Sequence, residues 1–169
     1  MKPDVLTRWL GAARRERVLR VLLSDYVLNG ASCAFGMFVV SAIVHLLFGA
    51  EAAANATVGV IAALAPDLVG PRRGKLVHLV VAPLIGVPLF LAVQLLRGHP
   101  VGLGLFLVPA TFLAFLGMAW GKRGAPVAIG VMLVMLFSMS TPLAASPGQA
   151  LVRTFYCGLG CALYVVYAL

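Results

Sequence analysis

Apolar residues in this chain come in long unbroken runs, and polar residues collect in the short stretches between them. Six runs stand out, at 26–48, 52–69, 76–96, 100–120, 125–145 and 149–169. Each is close to the roughly 20 residues a helix needs to cross about 30 Å of hydrocarbon. The runs are continuous and do not alternate in polarity, which argues against transmembrane β-strands. The pattern therefore predicts an all-α, polytopic helical membrane protein with six transmembrane helices. The second run is the least regular, because Ala52 to Leu64 is alanine-rich and Pro66 with Asp67 cuts it short. A half-buried or re-entrant segment is the alternative there.

Composition narrows the class further. Of 169 residues, 62% are apolar and 11% charged, and the mean hydropathy is +1.05. A soluble domain carries about 25% charged residues to cover its surface, so a water-soluble globule is excluded. Three cysteines are too few and too scattered for a disulfide framework or a zinc site. The 13 Lys and Arg against 5 Asp and Glu give a net charge of +8, and the distribution of these charges says more than the total. Lys2, Arg8, Arg14, Arg15, Arg17, Arg20, Arg72, Arg73, Lys75, Lys122 and Arg123 fall on one side of the membrane, Arg97 and Arg153 on the other. Such a bias marks the cytoplasmic side. It requires an even number of spans with both termini cytoplasmic, and reads as topology rather than as nucleic-acid binding.

The first 25 residues are different. Val5, Leu6, Trp9, Leu10 and Ala13 recur at helical spacing among arginines, which suits an amphipathic cationic helix lying in the headgroup plane. A solvated leader that only fixes topology is the plainer reading. The run from Tyr26 to Phe48 is too long for the core of a cleaved signal peptide, and Cys33 reads as a packed cysteine. Because the loops are short, any chemistry belongs between helices or at their ends.

No HExxH, P-loop, GxSxG or paired acids within a span is present, so the sequence predicts no enzyme, no cofactor and no metal. Charged groups inside spans are the functional suspects, since a central charge costs about 2.5–3.5 kcal/mol to insert. Helical spacing puts Arg153, Cys157, Cys161 and Tyr164 on one stripe. That stripe offers an anion a guanidinium fork and an aromatic wall; alternatively Arg153 snorkels to the interface. Asp67 either takes up a proton or pairs with the basic turn of Arg72, Arg73 and Lys75. His45 and His78 are candidates to couple protons to transport, with imidazoles satisfied by lipid or water at the interface as the plainer reading; they sit at opposite ends of the membrane, which argues against a shared metal. Glu51 and Asp25 read as ordinary span-end charges. Pro83 and Pro88 predict a kinked third span, in either a simple bend or a broken helix. Gly117 and Gly121, and Gly158 with Gly160 and Ala162, allow close helix approach. Met132, Met135 and Met139 read as core packing, and Trp120, Tyr26 and Tyr167 as interfacial rings.

Two segments resemble a known family. Residues Phe112 to Gly130, with Trp120-Gly121-Lys122-Arg123-Gly124-Ala125-Pro126 at their centre, are similar to a helix, basic turn and helix of the fusaric acid resistance or aromatic acid exporter (FUSC-like) superfamily. The stretch Ala62 to Lys75, through Pro66-Asp67 and Gly70-Pro71-Arg72-Arg73, resembles that family's small-residue helix ending in an acidic and basic cytoplasmic turn. The resemblance implies an inner-membrane domain for proton-driven efflux of small aromatic or other organic acids. Family members join a six-helix block to a cytoplasmic region and often to a second block. The resemblance therefore implies partners: the lipid bilayer, a small organic anion as substrate, and a second copy or second membrane half. Asp67, Arg72 and Arg73 match its turn. A scaffold module and a passive anion channel are the competing functions.

Overall fold

Residues 24–67, 72–121 and 124–169 are described by a computed structural model, and helix is the regular structure throughout them. The basic leader, with its expected amphipathic helix, lies outside the described residues, as do Lys122 and Arg123. So do the side chains of Asp25, Tyr26, Arg72, Arg73, Lys75 and His78. Each apolar run forms one helix: α1 Asp25–Phe48, α2 Ala50–Leu64, α3 Arg72–Leu96, α4 Pro100–Met118, α5 Gly124–Ser140 and α6 Pro147–Ala168. Four of them, α1, α3, α4 and α6, contain stretches long and apolar enough to cross a membrane.

The other two are shorter than their apolar runs. Helix α2 has 15 residues, about 22 Å of rise. It ends at Leu64, with Ala65 still helical in conformation, because Pro66 has no N–H to continue the ladder. Helix α5 has 17 residues and stops at Ser140, just ahead of Thr141-Pro142, for the same reason. Helix α3, in contrast, runs through both Pro83 and Pro88; of the two forms expected there, the broken helix is not the one seen, and the chain stays helical from end to end.

The short α2 occupies the middle of the bundle, touching α1, α3, α5 and α6, with α6 its most extensive partner. Small side chains make this possible. A methyl group on Gly160 of α6 would overlap the backbone of Ala56, and one on Gly59 of α2 would overlap the carbonyl of Cys157. The two helices therefore meet backbone to backbone, as small residues permit in membranes. A single residue, Gly49, links α1 to α2 at φ 88°, a left-handed turn that glycine adopts without steric cost.

Three apolar groupings fill the interior. Val40 and Val44 of α1 pack on Ala52, Ala56 and Val60 of α2 and on Tyr164. Val58 and Ala62 of α2 meet Phe90 of α3, Val134 of α5, and Cys157 and Cys161 of α6. Val93, Val131 and Met135 form a third group, against which Phe106 and Ala110 of α4 rest. Of the methionine stripe, Met135 is buried and Met132 packs beside it, whereas Met139 is exposed. Outward faces carry Phe35 and Phe38 of α1, Leu105, Val108 and Phe112 of α4, and Phe155 of α6, all exposed. Apolar surface on that scale belongs against lipid.

The α2–α6 contact yields a direct test. Gly160→Ala should lower thermal stability in detergent by about 1–3 kcal/mol, the usual range for overpacking. Gly104→Ala, where an added methyl meets nothing within 4 Å, should melt like the parent. Equal melting of both variants would refute the close approach.

Candidate functional site

Helices α2 and α6 run parallel, starting at the same end of the bundle, and polar side chains fasten them at both ends. At one end Arg153 is buried on α6, while Glu51 in the first turn of α2 is largely exposed. The guanidinium donates to Glu51 Oε1 from Nε at 3.0 Å and from Nη2 at 2.9 Å, and from Nη1 to the carbonyl of Pro142 at 2.5 Å. Arg153 thus ties α6 to the head of α2 and to the α5–α6 connection, and does not snorkel to the interface. Glu51, read from sequence as an ordinary end charge, is its counter-ion.

At the opposite end the chain leaves α2 through Pro66 and Asp67, both buried. Asp67 Oδ2 accepts a hydrogen bond from the Tyr164 hydroxyl at 2.8 Å and a weaker one from the Cys33 thiol at 3.5 Å. Asn29 Nδ2, one turn before Cys33 on α1, donates to the Asp67 carbonyl at 3.0 Å. Gly36 leaves room on α1 for the rings of Tyr164 and Tyr167. A thiol from α1, a carboxylate just beyond α2 and a phenol from α6 therefore meet in a buried site.

The stripe of Arg153, Cys157, Cys161 and Tyr164 is buried along its whole length. Its two polar ends do not converge on one ligand, because 11 residues of helix place them about 16 Å apart. Between them the stripe packs on α2, with the Cys161 thiol donating to the Gly59 carbonyl at 3.1 Å. His45 lies exposed in the last turn of α1, at the Arg153 end. Among the described residues no cluster of three His, Cys, Asp or Glu side chains has the makings of a metal site.

Sequence reasoning passed over two features. One is a polar group on α3 and α5: Gln94 Nε2 donates to the carbonyl of Ser138 at 3.2 Å and to Thr141 Oγ1 at 2.5 Å, and Arg97 donates to the Thr141 carbonyl. The other is a groove of about 860 Å³ between α3, α4 and α5, lined by Ile85, Phe106, Pro109, Trp120, Gly124 and Val131 among others. Its walls are nearly all apolar. Trp120 and Gly124 stand at its Asp67 end and bracket Lys122-Arg123 in the sequence. Both features depend on helix pairing across more than 20 residues, which periodicity within one helix does not reveal.

A family model described as "FUSC-like inner membrane protein yccS" matches residues 84–169, from the middle of α3 to the end of α6. The chain belongs to the FUSC-like family. Of the two segments that carried the resemblance, 112–130 lies inside the FUSC-like match and 62–75 precedes it. The groove lies almost wholly within the matched stretch, and so do Arg153 and Tyr164. No curated protein and no solved structure matches the chain. Membership in a family of inner-membrane proteins agrees with the lipid-facing surfaces of α1, α4 and α6.

The tie at Arg153 is asymmetric, and so should be the effect of breaking it. Glu51→Ala leaves a buried guanidinium short of its counter-ion and should cost about 1–3 kcal/mol. Arg153→Leu leaves only an exposed carboxylate and should cost less. The double variant should melt near Arg153→Leu. If Glu51→Ala proves the milder change, the pair is not what holds these helices.

Proposed function

We propose that this FUSC-like chain is a membrane domain for efflux of small organic acids, aromatic carboxylates in particular, driven by the proton gradient. The groove between α3, α4 and α5 carries the proposal. Its apolar walls, with Phe106, Pro109 and Trp120, suit a flat ring, and the charges of Lys122 and Arg123, which follow Trp120 in the sequence, suit the carboxylate. The basic bias that assigns this end to the cytoplasm would also raise the local concentration of anions. Arg72 and Arg73, at the start of α3, add to that bias. Arg153 is engaged by Glu51 and serves this reading as a fastener rather than as a ligand group.

Asp67 is the residue proposed to carry the coupled proton. It sits at the same end, buried, with Tyr164 and Cys33 as donors to one carboxylate oxygen. Ionised, it accepts those hydrogen bonds; protonated, it becomes a donor itself and loosens the contact with α6. A proton taken there thus changes how α1, α2 and α6 are held. His45, at the opposite end, and His78 remain secondary candidates for the same role.

Purified protein in liposomes should move benzoate, and an imposed pH gradient should accelerate that movement. Trp120→Ala should raise KM about tenfold, equivalent to about 1.4 kcal/mol of lost ring contact. Asp67→Asn should keep benzoate–benzoate exchange yet lose the response to the gradient. Benzoate flux that ignores the gradient in the parent would identify a passive channel. The absence of flux for any acid, together with a stable complex with another membrane subunit, would favour the scaffold reading.

A further inference from the structure

Four helices bring polar side chains to one level of the bundle. The apolar layer of Val58, Phe90, Val134 and Cys157 is buried, at 6% exposure for Val58 and 0% for the other three. One helical turn toward the Arg153 end from each of these residues lie Asn55 on α2, Gln94 on α3, Ser138 on α5, and Thr154 beside Arg153 on α6. All five are buried as well. In a segment surrounded by lipid this is an expensive choice of residues, since leucine at the same positions would need no partner.

Most of the polar atoms in this layer are accounted for. Gln94 donates to Ser138 and Thr141, and the Ser138 hydroxyl donates to the Phe90 carbonyl at 3.3 Å. Asn55 Nδ2 donates to the Glu51 carbonyl at 2.8 Å, Glu51 holds Arg153, and Arg153 reaches Pro142, next to Thr141. Two acceptors are left over. Asn55 Oδ1 and Gln94 Oε1 meet no donor among the described residues, although each residue is only 3% exposed. Lipid chains have no donor to offer. A buried amide oxygen in this position is ordinarily satisfied by water.

We propose that this layer is a hydrated binding site for small hydrogen-bond donors, with water as its resident ligand, entered from the Arg153 end and closed toward Asp67 by the apolar layer. The direction of entry follows from exposure. Glu51 is 66% exposed and Arg97 and Thr141 are partly so, which places polar side chains between the surface and this layer. On the other side stand Val58, Phe90, Val134 and Cys157, whose packed side chains present no hydroxyl, amide or charge. Wetting this level leaves the Arg153 end of the bundle open to water and the longer remainder sealed.

Silver ion, close to water in size, is the probe. Single variants Ser138→Cys and Thr154→Cys place a thiol in the layer, each nearly isosteric and each an independent reporter. Native Cys157, in the apolar layer, is the built-in dry reference. Vesicles are exposed to silver from one face, the protein is then unfolded and alkylated, and mass spectrometry reads protection at each cysteine. Ala145→Cys, on the exposed α5–α6 connection, shows which face is being probed. Both reporters should be protected at least tenfold faster than Cys157, and only from the face that reaches Ala145→Cys. Reporters as slow as Cys157, or reached only from the opposite face, would overturn the proposal. Since no solute flux is measured, a failure here is distinct from a failure of the transport reading.

Discussion

A helix of 15 residues cannot cross a bilayer with its ends in water, and the rest of this structure follows from that constraint. Helix α2 rises about 22 Å, roughly 8 Å less than the hydrocarbon it would have to span. Its terminal backbone groups need protein around them, because lipid satisfies none. The bundle meets that need by surrounding α2 with four other helices. Glycine and alanine on the α2 and α6 faces bring the backbones together, Arg153 fastens one end, and Tyr164 meets the chain at the other. Pro66 and Asp67 are buried for the same reason: the exit from α2 lies inside the protein.

The close packing also assigns the polar residues their places. Each fastening joins residues about 100 positions apart in the chain, Glu51 with Arg153 and Asp67 with Tyr164. Each also uses one acid from α2 or its exit and one partner from α6. The acids are therefore held on the inner helix while the lipid-facing sides of α1 and α6 stay apolar. The level holding Asn55 and Gln94 extends this arrangement across to α3 and α5.

Much of this was legible in the sequence, and the boundary of legibility has a physical cause. Long apolar runs gave every helix, because burial in lipid imposes one hydropathy over a whole segment. Helical periodicity placed Arg153, Cys157, Cys161 and Tyr164 on one face, since that depends only on residues within a helix. The use of the face was not readable. A ligand surface and a snorkelling arginine were both open, and neither pointed to the seam with α2 that the face forms. Glu51 looked like a routine end charge because its role is defined by a residue 102 positions later. The proline pair in α3 left a simple bend and a broken helix both open, and the helix runs through, as neighbouring helices allow when they support the freed carbonyls. Gln94 and Asn55 drew no notice, since a lone amide in an apolar run has meaning only once its level in the bundle is known.

Helix α4 sits at the other extreme from α2. Little of it is buried, and its main contact is α5. The groove at its side therefore has two unlike walls: α3 and α5 belong to the packed interior, while α4 is positioned as much by acyl chains as by protein. The width of that groove is set jointly by the amino-acid sequence and by the lateral pressure and thickness of the surrounding bilayer. The same polypeptide thus presents a different aperture in each membrane that hosts it.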